Sequence, residues 1–176
     1  MLSLILAGLL AADVPATPPA PLSPQAAFDA ATDANDAGRF EEAARGFAAL
    51  EQLPGVRRNP VVLGTLLMRK GRALVVLDRN DEAEAALRAG LKLVPLDKVD
   101  LRNDRLLAEL ALGNIALRRF NYAAATEHHR TALALADEPS TKARALLALT
   151  RSTMFDPGVG ALQYADQALA LLGPIN

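Results

Sequence analysis

Four segments of this chain align with one another along their length, and that self-similarity constrains the fold more than any single residue does. They are AAFDAATDANDAGRFEEAARGFAALEQLPG from Ala26, LLMRKGRALVVLDRNDEAEAALRAGLKLVP from Leu66, LLAELALGNIALRRFNYAAATEHHRTALALAD from Leu106 and ARALLALTRSTMFDPGVGALQYADQALALLG from Ala143. Small residues hold the register. Ala43, Ala83, Ala125 and Ala161 are spaced 40, 42 and 36 residues apart, and each is followed seven residues later by Leu50, Gly90, Ala132 or Ala168.

Each unit reads as two helices joined by a tight turn. In the third, Leu112, Gly113, Ala116 and Leu117 recur at helical spacing, Arg119-Phe120-Asn121 makes the turn, and Tyr122, Ala125, His129 and Ala132 mark one face of a second helix. Two antiparallel helices approach closely only where one contributes Gly or Ala at the crossing. Phe40 or Tyr122 then plugs the end of the hairpin. Asn59-Pro60 and Asp156-Pro157 supply an N-cap and a first-turn Pro. Ser140 or Thr141 caps the first helix of the fourth unit. Pro54, Pro95 and Pro174 end second helices. Aromatics make up only 4% of the chain, with no Trp, while Ala and Leu dominate. That mixture suits close-packed helices better than sheets, and an all-α fold follows.

With these residues in place, the sequence resembles the tetratricopeptide repeat family. Leu112-Gly113, Tyr122, Ala125 and Ala132 match its pattern in the third unit. Gly71, Ala83 and Pro95 match in the second, and Gly38, Phe40, Ala43 and Phe47 in the first. The fourth keeps Ala161 and Ala168 without an early Gly. The resemblance covers roughly residues 25 to 175, and the 40–42 spacing is similar to a long-repeat variant found in kinesin light chains and in the N-terminal arrays of bacterial CHAT-domain proteins. It implies a right-handed α-solenoid of about four helical hairpins, with repeats at about 24–57, 64–97, 106–139 and 142–175.

The resemblance also implies a concave groove lined by the first helices, which binds a protein or peptide partner. Family groove positions carried over to this chain are Gln25, Phe28, Thr32 and Asn35; Thr65, Met68, Arg72 and Val75; Leu107, Leu110, Asn114 and Leu117; and Ala143, Leu146, Thr150 and Thr153. The partner-binding set drawn from these is Phe28, Thr32, Met68, Arg72, Leu110, Asn114, Leu146 and Thr150. Arg72 and Asn114 are the residues suited to a backbone or carboxylate. A complete clamp on a terminal carboxylate is not expected, because the first unit offers Phe28 and Thr32 at the corresponding sites. The alternative is that the chain is the recruiting front part of a larger enzyme such as a CHAT-type peptidase. The apolar ending ALQYADQALALLGPIN motivates it, since a helical array needs its last packing face covered by itself, a further domain or a second copy.

Other chemistry finds little footing. The net charge of −1 provides no global field for nucleic acid. Without Cys there is no disulfide and no thiol chemistry. The basic clusters Arg57-Arg58, Arg69-Lys70-Arg72 and Arg118-Arg119 read as solvated helix edges or turns. His128 and His129 are adjacent, so on a helix they point about 100° apart and do not share a metal; His129 reads as a partly buried structural histidine. No catalytic residue, cofactor or metal site is expected. Leu2 to Ala12, LSLILAGLLAA, is too short to span a membrane and has the length of a signal-peptide core. The expected organisation is a signal peptide over 1–16, a Pro-rich linker over 17–24 and a repeat domain over 25–176, in a periplasmic or secreted protein with no stable membrane span after cleavage; a cytoplasmic protein is the alternative.

Overall fold

A computed structural model describes residues 22–155 and 160–172. The expected signal peptide, most of the linker, the Asp156-Pro157 cap and Pro174 lie outside the described residues. Within them the chain is all-α, with no strand. The helices are α1 (Pro24–Asp36), α2 (Phe40–Glu51), α3 (Pro54–Arg57), α4 (Pro60–Val76), α5 (Asn80–Leu93), α6 (Arg102–Arg118), α7 (Tyr122–Leu135), α8 (Pro139–Thr153) and α9 (Ala161–Leu172), with a 3₁₀ turn over Val99–Leu101 before α6. No described helix is long and apolar enough to cross a membrane.

Consecutive helices pack as four hairpins: α1 on α2, α4 on α5, α6 on α7 and α8 on α9. Each hairpin meets the next through α2–α4, α5–α6 and α7–α8, and the first helices touch directly through α4–α6 and α6–α8. The second, third and fourth hairpins open at Pro60, Arg102 and Pro139, three or four residues earlier than the expected repeat boundaries. Local chemistry accounts for the starts at Pro24, Pro60 and Pro139. The Ser23 hydroxyl accepts from the Ala26 amide at 3.2 Å and the Asn59 side chain from the Val62 amide at 3.2 Å. Ser140 and Thr141 do not cap α8, because Pro139 with its preset φ takes the first helical position.

Three turns within hairpins share one design. Gly38, Asp78 and Phe120 take positive φ of 77°, 60° and 57°. The next amide in each reaches back into the preceding helix: Arg39 to the Ala34 carbonyl at 2.8 Å, Arg79 to Leu74 at 3.0 Å, and Asn121 to Ala116 at 2.9 Å. These are Schellman-type caps, whose left-handed position favours Gly. The Asp78 carboxylate accepts from Asn80 at 2.8 Å and from Arg118 at 3.1 Å. The Phe120 ring is 77% exposed.

Within hairpins, large side chains seat on small residues. A Cβ built on Gly71 would lie 2.6 Å from Leu87 Cγ, and one on Gly90 would lie 2.7 Å from Met68 Cγ. Gly113 faces the His129 ring so closely that a Cβ there would overlap it. Gly71 and Leu87 are sixteen residues apart, as are Gly113 and His129. The anchors Ala43, Ala83, Ala125, Ala132 and Ala168 are fully buried. Ala43, Ala83 and Ala125 stand at the fourth residue of their helices, close to the turn. The main core joins α1, α2, α4, α5 and α6 around Phe47, Leu66, Met68, Leu87 and Ile115, and a second cluster joins α6, α7 and α8 around Leu106 and Leu110.

Arginines of α6 tie three other helix ends. Arg105 donates to the carbonyls of Leu91 and Val94, Arg102 to those of Ala134 and Leu135, and Arg118 to that of Val75. Terminal carbonyls lack partners inside their own helix and carry the negative end of its dipole, so a guanidinium there satisfies both. The basic clusters expected as solvated edges are in good part joints between hairpins. Lys70 pairs with Glu51 at 2.7 Å, Arg119 with Glu84 and with Asp81 at 2.6 Å, and Arg69 with Asp104 at 3.2 Å.

Left-handed φ costs an L-residue roughly 1–2 kcal/mol, while Gly loses about 0.5–1 kcal/mol more backbone entropy on folding than Ala. Phe120→Gly therefore stabilises the protein by about 0.5–1 kcal/mol. Urea melts of the two proteins check this; a lower midpoint for the variant contradicts it.

Candidate functional site

Two adjoining pockets that share Arg72 and Leu107 make up a groove to which the first helices of all four hairpins contribute. Its first half is lined by Thr32, Asn35 and Asp36 from α1, Arg69 and Arg72 from α4, and Asn103, Asp104 and Leu107 from α6, with Asp100 from the preceding turn. Its second half is lined by Arg72, Val75 and Val76 from α4, Leu107, Leu110, Ala111 and Asn114 from α6, and Arg144, Ala148 and Arg151 from α8. Arg72 and Leu107 belong to both halves and join them.

An ion cluster sits at that junction. Arg69 grips Asp104 with two hydrogen bonds, Nε to Oδ1 and Nη2 to Oδ2, both 3.2 Å. Arg72 Nη1 stands 3.7 Å from Asp104 Oδ1, and the Arg69 guanidinium lies 5.0 Å over the Phe28 ring. Phe28 in turn meets Phe47 edge-on at 6.2 Å, so the charged cluster rests on the core. Burial holds the Arg72 guanidinium below its ordinary pKa; Asp104 opposes that, and Arg69 and Arg144 reinforce it. Beyond the junction, Arg151 donates to the Asn114 side chain at 3.1 Å.

The carried-over groove positions fall into two groups. Thr32, Asn35, Arg72, Val75, Leu107 and Asn114 line the groove, and Phe28 lines an adjoining apolar hollow with Gln25, Val61, Thr65 and Leu101. Met68 is fully buried against Gly90, Leu146 is 4% exposed, and Leu110 is 6% exposed with only its edge in the groove. These three leucine and methionine side chains are core residues, because the first helices turn that stripe towards the hairpin seam. Thr150 lines neither half; its hydroxyl donates to the Leu146 carbonyl at 3.0 Å. On α8 the groove face is Arg144, Ala148 and Arg151, one residue round from the expected register. A signal for it existed in the i, i+4, i+7 spacing of those three residues. The fourth unit lacks the early Gly that fixes the register in the second and third. Arg69, Asp104, Arg144 and Arg151 were outside the carried-over set.

The histidines lie away from the groove. His129 is fully buried between α6, α7 and α8. The Ser152 hydroxyl donates to the Leu149 carbonyl at 3.1 Å, so its oxygen accepts from His129 Nδ1 at 3.2 Å. Nε2 faces Gly113, and among the described residues it has no hydrogen-bond partner. His128 Nδ1 lies 2.7 Å from the Glu109 carboxylate. Among the described residues, no three acidic or histidine side chains are grouped to hold a metal ion.

Burial, and then the positive charges of Arg151 and His128, lower the His129 pKa from 6.5 to about 4, with the Ala148 and Leu110 carbonyls opposing. A depressed histidine favours the neutral form in the folded state. Its stabilisation is complete above the unfolded pKa of about 6.5, falls as pH drops towards 4, and is constant below that. The full loss is about 3 kcal/mol. His129→Leu, which copies the Leu87–Gly71 pair, removes this increment of pH dependence between pH 6.5 and 4 in urea melts. A variant with the wild-type slope contradicts the assignment. No protein-family model matches the chain, and no curated protein matches it.

Proposed function

We propose that this chain is a protein-interaction scaffold: four tetratricopeptide-like hairpins stacked into a right-handed α-solenoid whose concave face holds a peptide or a segment of a protein partner. The observation that carries this reading is the groove itself. Residues from α1, α4, α6 and α8, separated by more than a hundred positions in sequence, line two adjoining pockets that each carry apolar and polar walls. Extended and helical peptides are held by side-chain pockets of that kind. Export, resting on Leu2 to Ala12, belongs to the same proposal.

A second reading has its own observation. Leu162, Leu169 and Leu172 on α9 are 79%, 59% and 57% exposed. A further domain covering that face would make the array the recruiting part of a larger enzyme, of the CHAT-type peptidase kind.

The groove reading is tested at Leu107, which is half-buried and shared by both halves. Peptides selected on the wild-type protein from a random twelve-residue display library lose at least about tenfold in affinity to Leu107→Glu, since burying a charge in an apolar contact costs more than 1.4 kcal/mol. Val76→Glu, at a residue 54% exposed, provides a second variant in which folding is not at stake. Unchanged binding to both, with unchanged circular dichroism, rejects the groove.

A further inference from the structure

The groove's unpaired charges are sorted by sign along its length. In the half built on α6 and α8, Arg144 and Arg151 have no carboxylate partner among the described residues, and no Asp or Glu lines that half. Among the described residues, Arg151 hydrogen-bonds only the Asn114 amide oxygen. In the half built on α1 and the start of α6, Asp36 and Asp100 have no cationic partner among the described residues. Between the two, Arg69, Arg72 and Asp104 neutralise one another in part. Apolar wall from Val76 and Leu107 runs beside the guanidiniums.

We propose that the groove selects its peptide by charge order, taking side-chain carboxylates next to an aliphatic residue over Arg144 and Arg151, and a Lys or Arg over Asp36 and Asp100. This rests on the groove being the binding face. Complementary charges fix register and direction more than raw affinity, and a charge-assisted guanidinium–carboxylate contact is stronger than a neutral one. A uniform polyanion fits less well, because crossing the groove brings it against Asp36 and Asp100. A peptide changes sign along its length and does not meet that conflict. First helices about 10 Å apart put the two ends roughly 25–30 Å from one another, or about eight residues of extended chain.

The test pans a random twelve-residue peptide library on the wild-type protein, on Arg144→Gln/Arg151→Gln and on Asp36→Asn/Asp100→Asn. All four positions are exposed, so these neutral variants keep the fold, which circular dichroism checks. Wild-type selections are expected to carry Asp or Glu at one end and Lys or Arg at the other. The arginine variant weakens them about tenfold or more and removes the acidic preference alone; the aspartate variant removes the basic preference alone. Selected peptides that depend on Leu107 yet are indifferent to both charge variants overturn the charge-order inference and leave the groove standing. Selections indifferent to Leu107→Glu as well overturn both. Tighter binding of a twelve-nucleotide single-stranded DNA than of any selected peptide, lost in the arginine variant, overturns the peptide as occupant.

Discussion

The close approach of paired helices is the constraint on which this architecture depends. A helix pair separated by two large side chains cannot keep the interaxial distances that hairpin stacking needs. Here the seam pairs a large residue with glycine: Leu87 on Gly71, Met68 on Gly90, His129 on Gly113. Sixteen residues separate the partners across two of those turns, so one spacing sets both the hairpin geometry and the direction in which the rest of each first helix points. The residues left facing outward, Thr32, Arg72, Leu107 and Arg151 among them, form the groove because the seam has already consumed Met68 and Leu146.

Polar contacts add specificity to that apolar frame. α6 lies between its neighbours and carries the arginines that satisfy the carbonyl ends of α4, α5 and α7. Each bond links elements from different stretches of chain, so it fixes how one helix end meets another rather than the helix itself. Asp104, only 8% exposed, holds Arg69 and Arg72 at the floor of the groove and gives it a defined shape there.

The helices and hairpin pairing were legible because local physics writes them into adjacent residues: Asn59-Pro60 starts a helix, and Arg119-Phe120-Asn121 turns one. The seam was also legible, as the Gly and Ala register. What sequence alone left unread depends on rotation about each helix axis. Met68, Leu110 and Leu146 occupy positions that a family pattern assigns to the groove, and the structure turns them inward. Arg144 and Arg151 replace Thr150 on α8 for the same reason. Arg57-Arg58 and Arg118-Arg119 are exposed as read, whereas Arg69-Lys70-Arg72 was misread as a solvated edge because its carboxylate partners lie far along the chain, as Asp104 does from Arg69. His129, read as a partly buried structural histidine, is a fully buried seam residue against Gly113.

The most direct measurement of that large-on-small constraint is a double-mutant cycle across Gly113 and His129. In a helix free of tertiary contact, Gly113→Ala would stabilise by about 1 kcal/mol. Against the His129 ring it is predicted to destabilise by about 1–3 kcal/mol, and adding His129→Ala is predicted to recover most of that, with a coupling energy of at least about 1 kcal/mol. A Gly113→Ala protein more stable than wild type, or effects that add within about 0.5 kcal/mol, would contradict the account.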